Sequence, residues 1–122
     1  MPITELLERN AAKYPSDVAL IEINPKIQEN KRVTWKEYEL KQTTEKESYR
    51  REITWSVFDE KANRFANYLM SMGIKRGHKV GIIMMNFLEW LPIYFGVLKT
   101  GAMVVPFNFR YSSDEIMYCA KL

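Results

Sequence analysis

The chain has 122 residues, 47% of them apolar and 13% aromatic, which suffices for one core and excludes a disordered tail. Its 18 basic and 15 acidic side chains leave a net charge of +3 with the signs mixed along the chain, a solvated surface and not a nucleic-acid-binding stripe. The single cysteine, Cys119, excludes an intramolecular disulfide and a cysteine-rich metal site, and no apolar run approaches the roughly 20 residues of a membrane span.

The first ten residues carry no basic-then-apolar leader, so a cytoplasmic protein is expected. Residues 4–13 read as a short amphipathic helix capped by Thr4, with Leu6, Leu7 and Ala11 on one side. Tyr14-Pro15-Ser16-Asp17 ends it, because proline disfavours helical geometry in the residue before it. A strand follows at 18–23, then a turn at Asn24-Pro25. Short strands are expected at 32–36 and 52–54. Between them, residues 37–51 are dense in Lys, Glu and Thr and read as an exposed polar insert. Val33-Thr34-Trp35 echoes Ile53-Thr54-Trp55, but two copies do not make a repeat architecture.

From Trp55 onward the pattern sharpens. Phe58, Ala62, Phe65, Ala66 and Leu69 form the stripe of a core-facing helix, capped by Thr54 or Ser56 and closed by Gly73. Residues 79–85 form a nearly continuous apolar strand, the pattern of a strand covered on both faces. Asn86 and Glu89 suggest a capping box for a helix running to Thr100, in which Pro92 should remove one backbone bond and bend the axis. Gly101 closes that helix, residues 103–107 form a second buried strand, and Ser112 or Ser113 caps a last amphipathic helix with Asp114 and Glu115 in its first turn. The order strand, helix, strand, helix predicts an α/β fold: a parallel βαβα unit with a right-handed crossover, behind a short hairpin-like N-terminal segment.

Motifs that carry chemistry are mostly absent. The end of the first parallel strand, Met84-Met85-Asn86-Phe87-Leu88, has no glycine that would let backbone approach a pyrophosphate, and GxGxxG and GxxxxGK[ST] do not occur. His78, flanked by Arg76, Gly77 and Lys79, lacks a nucleophile and an orienting acid nearby and reads as a turn residue. Cys119, between Tyr118 and Ala120, reads as a small packed side chain, since nothing nearby would depress its pKa. Asp59, Glu60, Asp114 and Glu115 fit helix first turns. Met84, Met85, Phe87, Trp90, Tyr94 and Phe95 cluster around one strand–helix junction and could form an acyl-binding wall, with core packing the simpler account.

Three segments then carry a resemblance. Ile53-Thr54-Trp55 with Ala62-Asn63-Arg64-Phe65-Ala66, Leu69 and Gly73 is the first; Gly77-His78-Lys79-Val80 with Asn86-Phe87-Leu88-Glu89-Trp90 is the second. Leu98-Lys99-Thr100-Gly101-Ala102-Met103-Val104-Val105-Pro106-Phe107-Asn108, followed by Arg110 and Ser113-Asp114-Glu115-Ile116, is the third. In this order and spacing they resemble the N-terminal region of the adenylate-forming superfamily, and Phe107-Asn108-Phe109-Arg110 is more like its acyl-CoA synthetase branch. Val18-Ala19-Leu20-Ile21 fits the family's early strand. His78 stands where an aspartate is common and Val57 where a glutamate is typical, and the insert before Ile53 is longer than usual.

The resemblance implies a parent enzyme that joins a carboxylate to ATP, giving an acyl-adenylate and pyrophosphate, and then transfers the acyl group to CoA with Mg²⁺ assisting. That chemistry needs a phosphate loop, a metal-binding acid, a ribose aspartate and a late lysine. None has a counterpart in residues 1–122, so no catalytic, cofactor-binding or metal residue is assigned, and the chain reads as an inactive N-terminal scaffold fragment whose partner is the rest of the parent enzyme. The alternative is a stand-alone interaction module that dimerises through the same fold. A third option, a small nucleotide-binding protein, would predict thermal protection by ATP, and none is expected. In either of the first two, an unpaired parallel sheet edge should promote self-association.

Overall fold

The computed structural model describes residues 1–23 and 50–122. In chain order the elements are α1 (Ile3–Lys13), β1 (Val18–Ile23), β2 (Arg50–Thr54), α2 (Trp55–Ser71), β3 (Lys79–Ile83), α3 (Trp90–Lys99), β4 (Met103–Phe107) and α4 (Ser113–Lys121). The expected turn at Asn24-Pro25, the strand at 32–36 and most of the polar insert 37–51 lie outside the described residues. Arg50 and Arg51, read as the end of that insert, instead open β2, where pairing with β1 recruits them.

β1 and β2 pair antiparallel, Leu20 opposite Ile53 and Glu22 opposite Arg51, which is the hairpin-like segment expected. β2 runs straight into α2. The junction is pinned by Trp55 N–H donating to Asp17 O at 3.0 Å and by Val57 N–H donating to Thr54 Oγ1 at 3.4 Å, so Thr54 is the cap. α1 departs from expectation here: Pro2 occupies its N-cap position and Thr4 lies inside the helix, where its hydroxyl cannot serve the first turn.

α2 is the central member of the core. Phe58, Ala62, Ala66 and Leu69 are buried along one stripe, as the spacing predicts. Its first half packs with Leu7 of α1, Leu20, Ile53, Leu91 and Phe95; its second half packs with Ile82, Val97 and Ala102. Gly73 closes the helix at φ 90°, with Ile74 N–H donating to Leu69 O at 3.1 Å and Gly73 N–H to Met70 O at 3.0 Å. Both bonds satisfy carbonyls that the last turn would leave open, and Ile74 and Leu69 share the second cluster.

β3 and β4 pair in parallel, Lys79 opposite Met103 and Ile83 opposite Phe107, so the βαβ unit is present. Two expectations about it are corrected. β3 ends at Ile83 and not at Met85, and neither strand is covered on both faces among the described residues: Val80, Ile82 and Val104 face α2 and α3, while Ile83 and Met103 are each 48% exposed. The apolar run registered that both faces suit burial; helices lie on one of them only. α4 has the capping box of Ser112 and Glu115 but no buried residue.

α2 and α3 meet at Gly96. A Cβ built there would stand 2.9 Å from Ala62 O and 2.9 Å from Phe65 Cδ1, so the two helices approach through bare backbone. Gly96→Ala should cost about 1–2 kcal/mol, overpacking of about 1–3 offset by up to about 1 of helix propensity. Gly81→Ala should stay within about 0.5 kcal/mol, because the added methyl meets only the ring of Phe107, which can turn aside. Urea midpoints of the two variants check the contrast.

Candidate functional site

In open parallel sheets ligands gather beyond the carboxyl ends of the strands. After Ile83 that region is the turn 84–89, where Phe87 N–H donates to Met85 O at 2.8 Å and Trp90 N–H to Phe87 O at 3.0 Å. The helix that follows starts at Trp90, and no side chain caps it from within. The expected box of Asn86 and Glu89 is therefore absent. A distant residue instead holds the turn just before the helix: Leu88 N–H donates to Glu22 Oε2 at 2.6 Å. Pro92, expected to cost a bond in mid-helix, falls in the first turn, where its missing N–H has no partner to lose.

A cleft of about 320 Å³ opens between β1 and this turn, lined by Leu20, Ile21, Phe87, Leu88, Trp90 and Leu91, with Glu22 and Asn86 as its polar members. Of the six residues weighed as an acyl-binding wall, only Phe87 and Trp90 reach it. Met84 and Tyr94 pack on the cluster around Leu69, and Phe95 meets Phe58 edge to face at 5.2 Å. Trp90 stacks on Tyr94 at 5.0 Å. Core packing accounts for half of the set.

Glu22, the one charge lining the cleft among the described residues, belongs to a cluster with Arg51 and Glu89. Arg51 bonds Glu89 through Nη2 and lies 3.6 Å from Glu22 Oε1 through Nη1. The bond to Glu89 raises the Arg51 pKa against the opposing effect of burial. Burial pushes the Glu89 carboxyl up, but the Arg51 bond, its own backbone and the charges of Arg51 and Lys61 outweigh it and leave the pKa lowered.

A second ionic group ties three helices together. Lys99 Nζ lies 2.8 Å from Glu8 Oε1 and 2.9 Å from Asp59 Oδ1, with the lysine side chain 8% exposed and that of Asp59 20% exposed. Burial pulls the Lys99 pKa down; hydrogen bonds to Asp59 and Glu8 and their charges overcome this and leave it raised. The pH dependence follows with opposite signs. The Lys99 contribution is full below the unfolded lysine value of about 10.4 and is lost as the pH rises through the higher folded value. The Glu89 contribution is full above the unfolded glutamate value of about 4.3 and is lost as the pH falls through the lower folded value. Urea midpoints should thus fall off below about pH 4 and above about pH 10 from these groups.

The other residues weighed from the sequence have structural surroundings. His78 is exposed in a turn, its Nδ1 accepting from Lys75 N–H at 3.1 Å and its carbonyl from Met103 N–H at 2.7 Å. Cys119 is half-buried on α4. Asp59 and Glu60 lie past the first turn of α2 and not in it as expected, because the helix already starts at Trp55; Glu60 pairs with Arg64, and Asp59 Oδ2 accepts from Asn63 Nδ2 at 3.3 Å. Glu115 accepts from Ser112 N–H at 2.7 Å, and that backbone bond, with the hydroxyl bond, lowers its pKa; Asp114 shares its exposed first turn. Among the described residues no three His, Cys, Asp or Glu side chains group to hold a metal, and no helix is long and apolar enough to cross a membrane. Sequence reasoning passed over Glu22 and Lys99, although a charge inside an apolar strand and a lysine in an apolar helix are visible signals.

A parallel strand pair backed by two helices, with an antiparallel ribbon against the first of them, has close structural counterparts. The N-terminal domain of FACL13 from Mycobacterium tuberculosis superposes with a TM-score of 0.71 at 24% identity, over 97% of this chain and 24% of that one, a likeness of fold. The family model of the AMP-binding enzymes matches residues 7–122, and the chain belongs to that family. Among curated relatives, the medium/long-chain-fatty-acid–CoA/3-oxocholest-4-en-26-oate–CoA ligase of Mycolicibacterium smegmatis is 42% identical over 67 residues, 55% of this chain and 12% of that protein. The 3-oxocholest-4-en-26-oate–CoA ligase of Rhodococcus rhodochrous is 38% identical over 68 residues, 56% of this chain and 12% of that protein. The matched segment thus spans about an eighth of these relatives, 12% of each.

Proposed function

We propose that residues 1–122 are the N-terminal supporting part of an ATP-dependent, AMP-forming carboxylate–CoA ligase acting on fatty acids. The observation that carries this reading is the family match over residues 7–122 together with the fatty-acid–CoA ligases among the relatives. Acyl-adenylate formation and thioester formation, with ATP, Mg²⁺ and CoA, belong to segments beyond this one, and the chain alone is catalytically silent. Its share of the work is mechanical: α2 and α3 hold β3 and β4 in parallel register, and the half-exposed Ile83 and Met103 present an apolar face for further chain to cover.

Replacing the aligned segment of the M. smegmatis ligase with the corresponding residues of this chain tests the reading. The chimera should form acyl-CoA from a medium-chain fatty acid at a rate within about ten-fold of its parent, since framework substitutions leave the reacting groups in place. A folded chimera with no acyl-CoA formation would contradict it.

The same exposed face favours a second reading, a stand-alone dimerisation module. Either way the isolated chain should self-associate through the β3–β4 pair. A monodisperse monomer in light scattering at high micromolar concentration would speak against both the association and the module.

A further inference from the structure

The two sheets share no hydrogen-bonded ladder: β1 pairs with β2 and β3 with β4. A polar link nevertheless joins them. Glu22 and Arg51 stand directly opposite each other on the antiparallel ribbon, and both reach the turn 84–89. Glu22, its side chain 16% exposed, accepts from the amide of Leu88, while Arg51 spans from Glu22 to Glu89. Leu88 itself is buried, so its bond to a carboxylate is shielded from competing water. Leu88 stands just before Glu89, the N-cap position of α3, so Glu22 holds the chain entering that helix and brings a negative charge near its start. Lys61 of α2 adds a positive charge near Glu89.

We propose that Glu22, Arg51 and Glu89 form a latch that fastens the turn at the carboxyl end of β3 to the β1–β2 ribbon and holds that turn closed. The inference rests on these contacts alone and stands whether or not the chain serves a ligase.

Amide exchange of the full chain tests it, with Leu88 as reporter and Ala66, in the buried stripe of α2, as reference. Loss of a hydrogen bond to a charged acceptor should speed Leu88 exchange by roughly ten-fold or more. Glu22→Ala should do this while Ala66 stays unchanged, and Glu22→Gln, which keeps a neutral acceptor, should give an intermediate rate. Arg51→Met should speed Leu88 by a smaller factor, with Arg51→Lys restoring part of the protection. Equal acceleration at both amides would reduce the cluster to general stability and overturn the latch, as would an unchanged Leu88. Should the variants fail to fold, salt provides the readout on the unaltered chain. Raising NaCl from about 0.1 M to about 1 M shortens the screening length from about 10 to about 3 Å, weakens the Arg51–Glu89 pair, whose side chains are 33% and 41% exposed, and should speed Leu88 roughly two-fold, with Ala66 constant. No differential change would overturn the proposal.

Discussion

Phe58→Ala is expected to destabilise the chain by about 3–5 kcal/mol, about a fifth or more of the stability of an ordinary domain. Phe58 is 3% exposed at the meeting point of α1, the ribbon, α2 and α3. Its ring lies 6.2 Å from that of Trp55, nearly parallel, and edge-on to Phe95, and such pairs add to what area alone contributes. Four elements hold the walls of the space the ring fills, so the cavity cannot collapse easily. A thermal midpoint lower by about 10–20 °C should accompany the loss. Phe87→Ala, at a half-exposed ring, should cost less than about 1 kcal/mol. Similar costs for the two would mean that the first cluster is not the core.

Lys99→Met should cost about 2–3 kcal/mol, short of the 3–5 of a fully buried broken pair because Glu8 is largely in water. The cost resides mainly in Asp59, whose half-buried carboxylate would keep Asn63 as its donor among the described residues. Lys99→Met with Asp59→Asn should therefore be more stable than Lys99→Met alone, recovering roughly half the loss. Additive losses in the double variant would show that the lysine stem, and not the charge pair, carries the effect.

Local patterns were legible wherever a residue answers to its near neighbours. The stripe from Phe58 to Leu69, the left-handed glycines at 73 and 101, the serine cap of the last helix and the parallel pair all follow from spacing and turn chemistry. Misreadings arise where the partner is far along the chain. Asn86 and Glu89 look like a box, yet the acceptor for Leu88 comes from Glu22, 66 residues away. Lys99 looks like an ordinary cation in the last turn of a helix, yet its partners Glu8 and Asp59 come from two other helices. The strands expected at 79–85 and 103–107 look covered because the sequence records suitability for burial and not which neighbour provides it. The candidate site followed the same rule: the absence of glycine after β3 was plain, whereas the cluster of Glu22, Arg51 and Glu89 depends on strand pairing and on a contact between distant segments.

Pyrophosphate release by the purified 122-residue chain, supplied with ATP, Mg²⁺, CoA and a medium-chain fatty acid, bears most directly on the claim that this is framework without a reaction centre. The expected rate is indistinguishable from that of the protein-free control. Release that depends on the fatty acid, with acyl-CoA appearing alongside, would contradict the claim.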